Sequence, residues 1–555
     1  MRRDQSGFAL ATVMLATMVL SMLALAAVDY AVGSQYISHH DQNWNGALAA
    51  AEAGIDDYIF RLGENGNYWQ YNATNPPPDN NKAFTQYVQV SGSATNSKYR
   101  YDVDTSTIAT NGIVKLTSTG RVGNAARTVR ASLRRRSFLA YLYFTDFETV
   151  DPALYTGSPF TPAQAQTRCA FHYYGGVNNQ RDVNGRVDFT GDSDANGSYC
   201  SDITFVGIDK LNGPMHTNDA FMVCGSPQFL GDTSTSWTGA NGKLYRDNCP
   251  TSTPVFANPS GPVVAPPLTM PPTNSSIKSY TAVGTGGCLY TGPTRIKLLS
   301  DGTMTVKSPF SRNTNNAACP KNGNGALPTN GVIYVQNVPS ASSDPNYTNG
   351  CPYNVNGRAH PLGMPIANDL NTYVCRNGDV FIEGTLKGQL TVAAENNIDI
   401  TWHLQYNSGV NGTDLLGLIA NNFVEVYHPV NCAAGVTTAA CNLNASFPLE
   451  TTPTRTTPFN SPIIQAANLS LSHSVRVQAW DRGAPLGALN ITGVLAQRYR
   501  GPVGTNISGV INTGFAKNYV YDQRLKYLSP PYFLDPVASQ WGIVTWAENK
   551  VPAGY

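Results

Sequence analysis

The residues with the clearest chemical potential in this 555-residue chain are its ten cysteines. The two closest, Cys432 and Cys441, are nine positions apart, whereas zinc sites need close pairs such as Cys-x-x-Cys. An even number of well-spaced cysteines instead predicts disulfides in an oxidising compartment, with sequence neighbours as the working pairs and free buried thiols as the alternative for one or two. The candidates are Cys169, Cys200, Cys224, Cys249, Cys288, Cys319, Cys351, Cys375, Cys432 and Cys441.

Histidine offers few further candidates for catalysis. His216 has Asp219 three residues later, a pair that could serve a metal or an acid–base site, but a turn histidine held by its neighbours is the interpretation we favour. No His-Glu-x-x-His, Gly-x-Ser-x-Gly or Walker sequence is present, so those hydrolase and nucleotide sites are excluded. The sequence predicts no catalytic residue, metal site or cofactor.

Carboxylates in strand-like segments leave one enzyme class open. Glycoside cleavage uses two carboxyl groups roughly 5–10 Å apart, and Glu395, Asp399, Asp414 and Glu425 are the candidates. Residues 191–198 (GDSDANGS) place oxygens at alternate positions as a calcium loop would, but they lack the following Glu of an EF-hand and predict a polar loop. Because charged residues make up 13% of the chain, we expect no enzyme.

Composition restricts the class of protein further. Lys and Arg number 37 and Asp and Glu 36, for a net charge of +1, so bulk charge does not predict nucleic-acid binding. The run Arg134, Arg135 and Arg136 is better interpreted as a solvated strand end. Fifty Gly and 36 Pro exclude a long coiled coil and predict a turn-rich, mainly β protein.

Two unlike parts of the chain must position these residues, and the first part is helical. Phe8 to Val28 is a run of 21 uncharged, mostly apolar residues, long enough to span a bilayer. Arg2 and Arg3 precede the run and predict a cytoplasmic N-terminus, with everything after Asp29 outside. The alternative is a cleaved secretory signal, with the mature chain beginning near Asp29.

The helix is predicted to continue to residue 62. No proline occurs before that point, and apolar residues recur at spacings of three and four, as one face of a helix requires. That face comprises Leu48, Ala51, Ile55, Ile59 and Leu62. Gly33, Gly46 and Gly54 are predicted weak points in it.

The junction Gly7–Phe8, the apolar run and the block ALAAAEAGIDDYIFRL at 47–62 together resemble type IV pilin-like proteins. They are most similar to PilX-type minor pilins, in particular the large pilus-assembly proteins of actinobacteria with a PilX N-terminal domain. The resemblance implies that residues 1–7 form a leader, that a prepilin peptidase cuts after Gly7, and that the new N-terminal Phe8 is methylated.

Thr12 departs from the major-pilin pattern, which has Glu at the fifth mature position. A carboxylate in lipid is unfavourable unless it is paired, so that Glu marks a contact between subunits. Its absence here predicts a minor, tip or initiating subunit.

The rest of the chain is predicted to be β structure, making the whole an α+β protein. Residues 63–136 predict a small antiparallel sheet packed on the helix, and residues 137–555 one large disulfide-rich β domain. Within it, Asn396–Asn397 and Asn421–Asn422 follow similar apolar runs at an offset of 25 residues, which favours a parallel β-helix, with a jelly roll or sandwich as the alternative. The family resemblance extends to segments 213–219, 388–400, 414–422 and 514–533.

The sequence therefore predicts a minor pilin or pilus-assembly component. The helix would hold it in the cell membrane and then in a filament, with the β domain displayed outside for initiation, tip location or adhesion. The predicted partners are other pilins, the assembly machinery, prepilin peptidase, the membrane, and a surface glycan or protein. The alternative is a membrane-anchored, polysaccharide-degrading enzyme built on a β-helix.

Overall fold

The structure is a computed structural model that describes residues 6–65, 68–93, 96–106, 108, 113–135, 137–154, 161–169, 203–239, 242–247, 249, 251–350, 362, 376–428, 430, 432, 435–438, 441, 459–507, 509–537 and 541–549. The chain divides into two compact units. Unit 1 comprises Met1–Ile108, Ile113–Arg134 and Gln540–Tyr555, and unit 2 comprises Ala109–Gly112 and Arg135–Ser539.

A single long helix, α1, runs from Ser6 to Glu64. The absence of proline and the many Ala and Leu residues explain its continuity, because these residues disturb helical backbone least. Exposure changes along its length: the first described side chains, from Ala9 onward, are exposed, whereas Ala47, Ile55 and Leu62 are buried. The predicted long N-terminal helix is therefore confirmed.

The sheet of unit 1 packs on the second half of α1. Neighbouring strands from β1 to β4 pair antiparallel, and β30 lies next to β4. Their bounds are β1 Val88–Gln89, β2 Lys98–Asp104, β3 Ile113–Val122, β4 Ala125–Arg135 and β30 Trp541–Asn549. Assigning all of residues 137–555 to the large domain was wrong for β30, because a pairing across more than 400 residues leaves no local pattern.

One ion pair within unit 1 links β30 to β4. The Arg127 guanidinium donates from Nε and Nη2 to the two carboxylate oxygens of Glu548, at 2.5 and 2.6 Å. The same guanidinium lies 5.1 Å from the ring centroid of Trp44 on α1. A bidentate pair of this kind fixes orientation as well as distance.

Glycines set how closely α1 approaches the sheet. A Cβ added at Gly120 of β3 would lie 2.0 Å from the Ala47 carbonyl oxygen and 2.3 Å from the Ala51 nitrogen. A Cβ at Gly54 of α1 would lie 2.3 Å from the Ser118 hydroxyl oxygen. Gly54, predicted as a weak point of the helix, is thus the residue that allows this contact.

Within the described residues, unit 2 consists mainly of strands, with one short helix, α2 (Pro162–Cys169). Its strands up to the middle of the chain are β5 Tyr143–Val150, β6 Phe205–Val206, β7 Lys210–Asn212, β8 Met215–Thr217, β9 Phe221–Cys224, β10 Gln228–Phe229, β11 Thr233–Thr235, β12 Tyr245–Asp247, β13 Val255–Phe256, β14 Val263–Val264, β15 Cys288–Thr291 and β16 Thr294–Leu298. The remaining strands are β17 Thr303–Lys307, β18 Asn322–Ala326, β19 Val332–Gln336, β20 Val380–Leu386, β21 Gln389–Ala394, β22 Ile398–Tyr406, β23 Leu415–Ala420, β24 Val424–Val426, β25 Ile463–Ser470, β26 Val475–Val477, β27 Pro485–Arg500, β28 Gly504–Ile507 and β29 Val510–Tyr521.

Short 3₁₀ turns connect several of these elements. They are Tyr68–Gln70, Lys82–Phe84, Phe138–Ala140, Pro152–Leu154, Ser275–Thr281, Gly409–Asn411 and Gln523–Lys526.

Parallel pairing dominates unit 2. The series β19–β21–β23–β25–β27 is parallel throughout, as is the series β16–β20–β22–β24–β26. Apolar residues on successive strands stack in register, for example Ile382 beside Ile400 and Ile400 beside Val426. The core of unit 2 is built from these buried stacks.

Two edges of this arrangement differ in character. At one, β16, β17 and β18 form an antiparallel meander. At the other, β13 and β14 pair with β10 and β11, and Val255, Val263 and Val264 are about half exposed. Each of these two short strands directly follows a proline, Pro254 or Pro262.

We predict that Gly120→Ala loosens α1 from the sheet, because its Cβ would collide with helix backbone, which cannot rotate away. Overpacking of this kind costs about 1–3 kcal/mol. Hydrogen exchange of the full-length protein in detergent should show faster exchange of amides 47–62. Gly63→Ala is the matched control, since no heavy atom lies within 4 Å of its added Cβ; equal protection in both variants would contradict the prediction.

Candidate functional site

The first half of α1 is an uncovered apolar surface. Within the described residues, α1 is long and apolar enough to cross a membrane, with a mean hydropathy of 2.2 in its most apolar 18-residue stretch and none of that stretch buried. The large apolar side chains that are exposed there are Leu10, Val13, Met14, Leu15, Met18, Val19, Leu20, Met22, Leu23, Leu25 and Val28. Water is an unfavourable environment for such a surface, so it needs lipid or protein around it.

The hydroxyl groups in this stretch are already satisfied by the helix. Thr12 donates to the Ala9 carbonyl at 2.9 Å, and Ser21 donates to the Thr17 carbonyl at 2.8 Å. A polar group without a partner is costly in hydrocarbon, so these bonds make the segment compatible with a bilayer. Thr12 occupies the position at which the major-pilin pattern has Glu, and its hydroxyl bonds to a carbonyl of its own helix.

The predicted processing site lies at the start of the same helix. Because α1 begins at Ser6, Gly7 and Phe8 fall in its first turn. Cleavage after Gly7 and methylation of Phe8 remain predictions from the family resemblance.

Two disulfides occur among the described cysteines. Cys224 of β9 is joined to Cys249, and Cys288 of β15 to Cys319. Both are pairs of sequence neighbours. The first ties β9 to the chain just beyond its parallel neighbour β12, and therefore reinforces an existing ladder. The side chains of Cys169, Cys200, Cys351 and Cys375 lie outside the described residues.

Cys432 and Cys441 carry free thiols, so the neighbour pairing is not formed at this position. The two thiols are hydrogen-bonded to each other. Burial, and then the bond to Cys441, raise the pKa of Cys432 to about 11. Hydrogen bonds from Cys432 and Thr438 lower the pKa of Cys441.

His216 is a structural residue of the unit 2 core. Its ring is fully buried, with Nδ1 2.9 Å from the Ser234 hydroxyl and Nε2 3.2 Å from the Asn218 amide oxygen. Tyr141 and Phe144 pack against the ring at centroid distances of 5.3 and 6.0 Å. Both nitrogens are engaged, which leaves this histidine without a free position for a metal or a substrate.

Asp219, the predicted partner of His216, serves the backbone instead. Its carboxylate accepts from the Glu148 amide at 3.0 Å and from the Ala220 amide at 2.9 Å. This carboxylate is therefore engaged by main-chain amides, while the two ring nitrogens of His216 contact Ser234 and Asn218. Among the residues described, no group of three or more His, Cys, Asp or Glu side chains is arranged to hold a metal ion.

The parallel register brings two of the predicted carboxylates together. Asp399 lies beside Glu425 on adjacent strands, and both are fully buried. The Gln478 amide nitrogen donates to both, at 2.7 Å to Asp399 and 2.5 Å to Glu425. Arg476, on the next strand, donates to Glu425 at 3.0 Å from Nε and 2.7 Å from Nη2.

This carboxylate pair is closed to substrate. A glycan-cleaving pair must face a cleft that admits a sugar and a water molecule, whereas Asp399 and Glu425 have no exposed surface. The other two candidates hold main-chain turns: Glu395 accepts from the Asn337 amide at 2.7 Å, and Asp414 from the Gly388 amide at 2.7 Å.

Asparagine side chains form a ladder at the turns between parallel strands. The Asn422 amide donates to Asn396 at 2.5 Å, and Asn396 donates to Asp379 at 2.5 Å. The paired residues are 26 positions apart, so the predicted 25-residue alignment of the two Asn pairs was wrong by one residue. Asn397 consequently faces Phe423, whose amide donates to it at 3.2 Å.

Some residues that the sequence analysis named lie outside the described part of the chain, and two buried arginines were not predicted from the sequence. Residues 191–198 and Arg136 lie outside the described residues. The buried ions Arg476 and Arg500 carried no sequence signal, because their partners are 51 and 352 residues away.

Comparison with known proteins gives little further information. No protein-family model matches the chain, and no curated protein matches it. Among solved structures the chain is similar to the competence-associated pilin ComZ from Thermus thermophilus, with 13% identity and a TM-score of 0.28 over 91% of this chain and 97% of that one. At this level of overlap, function has to be argued from the chain's own residues.

We predict a pH-dependent stability that originates at Asp379. Burial raises the pKa of this carboxyl to about 7, and the negative charge of Glu425 adds to the effect. At low pH the group is protonated in both states. As pH rises toward 7 the unfolded chain releases the proton first, so the free energy of unfolding falls by about 1.4 kcal/mol per pH unit.

Urea unfolding of wild type and Asp379→Asn at pH 5 and pH 8 tests this assignment. The amide cannot ionise, so the variant should lose much less stability between the two pH values. An equal loss in both proteins would place the titration elsewhere.

Proposed function

We propose that this protein is a minor pilin of a type IV pilus-like system, of the PilX type, that is held by α1 and displays unit 2 outside the cell. The observation that carries the proposal is that the two halves of one continuous helix differ in exposure. Its first half exposes apolar side chains, and its second half packs on an antiparallel sheet. A soluble protein would bury the first half, whereas a subunit that passes from a membrane into a filament needs it exposed.

In this proposal the N-terminus is cytoplasmic and the chain crosses the membrane once. Prepilin peptidase removes residues 1–7, and neighbouring pilins then replace lipid around the apolar surface. The two disulfides of unit 2 support an extracellular position, because such bonds persist in oxidising compartments.

We further propose that unit 2 is a β-solenoid. Phe205, Lys210 and Met215 each pair in parallel with the residue eighteen positions later, Val223, Gln228 and Thr233. Three strands that advance by the same number of residues are the expected signature of one circuit of such a structure. A jelly roll or sandwich would instead require mostly antiparallel neighbours.

The role proposed for unit 2 is contact rather than catalysis. Its candidate carboxylates are occupied by Arg476, Gln478 and main-chain amides. A rigid β body on an anchored helix can initiate a filament, terminate its tip or bind a surface glycan or protein. Deletion should therefore reduce piliation without altering polysaccharide turnover.

N-terminal sequencing of surface-exposed protein tests the processing route. We expect the mature chain to begin at Phe8, and Gly7→Val to leave the leader attached because a branched side chain replaces the small residue at the cut. Ser6→Ala is the control and should be processed normally. A mature start near Asp29 would show signal-peptide cleavage and would refute the pilin assignment.

The position of Thr12 predicts where the subunit sits. With no carboxylate at this point, the protein should be confined to the tip or base of filaments, and immunogold labelling should show it there. Thr12→Glu buries a new charge in lipid or in the filament core and should reduce assembly several-fold. Wild-type labelling along whole filaments, together with unchanged assembly of Thr12→Glu, would exclude the tip or initiator role.

A further inference from the structure

A buried lysine–aspartate pair in unit 2 is used by nothing described so far. Lys517 on β29 donates from Nζ to Asp209 Oδ2 at 2.7 Å. The adjacent residues Asn518 and Lys210 are partners in the parallel pairing of β29 with β7, so the ladder itself holds Lys517 beside Asp209. Their side chains are only 15% and 3% exposed.

One side of this pair is aromatic, and the other borders a cavity of about 320 Å³ that Asp209 and Lys517 help to line. Lys517 Nζ lies 5.6 Å from the ring centroid of Phe205, and the Arg500 guanidinium lies 3.6 Å from the same centroid. Arg500 Nη1 donates to Glu148 at 2.9 Å, while its Nη2 is buried and has no hydrogen-bond partner among the described residues. The cluster therefore holds two cations and two carboxylates whose side chains are at most 15% exposed.

Burial of this kind favours the neutral form of an ammonium group. Burial lowers the pKa of Lys517 and the nearby Arg500 lowers it further, although Asp209 acts in the opposite direction. A neutral amine is a nucleophile, whereas an ammonium group is not. Lys517 Nζ is thus in contact with the carboxyl group that it would attack, and its lowered pKa increases the fraction of neutral amine.

We propose that Lys517 and Asp209 become joined by an intramolecular amide bond. The ammonium group first passes a proton to the carboxylate, which leaves a neutral amine and a carboxylic acid. Nζ then forms a bond to Cγ, the second proton moves from nitrogen to the hydroxyl oxygen, and the C–O bond breaks to release one water molecule. No oxidant, reductant or other reactant is needed.

Two groups assist this step. The Val206 amide donates to Asp209 Oδ2 at 2.9 Å, the oxygen that Lys517 Nζ also contacts, and so holds the carboxyl group in place for attack at Cγ. The positive charge of Arg500 acts on the same carboxylate. A charge fixed beside the reacting carboxyl group stabilises a developing oxyanion without reorganisation.

The bond would join two points 308 residues apart in the sequence. It would covalently close unit 2 between its first strands and its last long strand, which pair in parallel. Unlike the two disulfides, it would survive reducing conditions. The proposal does not depend on the pilin assignment.

Peptide mapping of the full-length protein tests the proposal directly. After denaturation, reduction and alkylation, trypsin should release residues 187–210 joined to 501–524, with a mass equal to the two peptides minus one water. Acylated Lys517 is not a cleavage site, so peptide 501–517 should be absent. Recovery of 187–210 and 501–517 as separate peptides would overturn the proposal and leave an ordinary buried ion pair.

Two variants and one internal control complete the test. Lys517→Arg keeps the cation but cannot form the amide, and Asp209→Ala removes the carboxyl group; both should yield separate peptides. Lys243 makes the same contact with Asp247, but their side chains are 46% and 28% exposed, and Lys243 should stay open to acetylation. A joined species that persists in Lys517→Arg would assign the link to other residues and refute the proposal.

Discussion

Parallel register is the constraint on which unit 2 depends, because it fixes each residue beside one partner on the next strand. Where that partner is apolar, the result is a dry stack such as Ile382, Ile400 and Val426. Where that partner is polar, the two buried groups need hydrogen-bond or charge partners nearby. Asp399 and Glu425 lie side by side with no exposed surface. Arg476 donates to Glu425, and Gln478 donates to Asp399. Removing either carboxylate's partner would leave a charge that the interior cannot accommodate.

The same rule gives the turns their composition. An asparagine above another asparagine satisfies one donor and one acceptor at each step, and the ladder ends on Asp379, which accepts at its base. Unit 1 obeys a different constraint, which is distance. There the helix backbone lies so close to β3 that a Cβ at Gly54 or Gly120 would collide with facing atoms.

The sequence predicted well what is local and poorly what is not. Hydrophobicity and the absence of proline were sufficient for α1, and the antiparallel sheet predicted within residues 63–136 is present as β1 to β4. The pairing of β30 with β4, the 26-residue register and the buried arginines all join residues distant in sequence. Asp399 and Glu425 were two of the four candidate carboxylates, but their pairing and burial depend on neighbours that no local pattern reveals.

The edge formed by β13 and β14 has a consequence for self-association of the protein. An open strand edge is a template on which a second chain can add and continue without limit. Pro254 and Pro262 lack the amide hydrogen that such growth would use, and the strands they precede are only two residues long. The half-exposed valines there can thus contact a neighbouring molecule without templating a growing sheet along this edge.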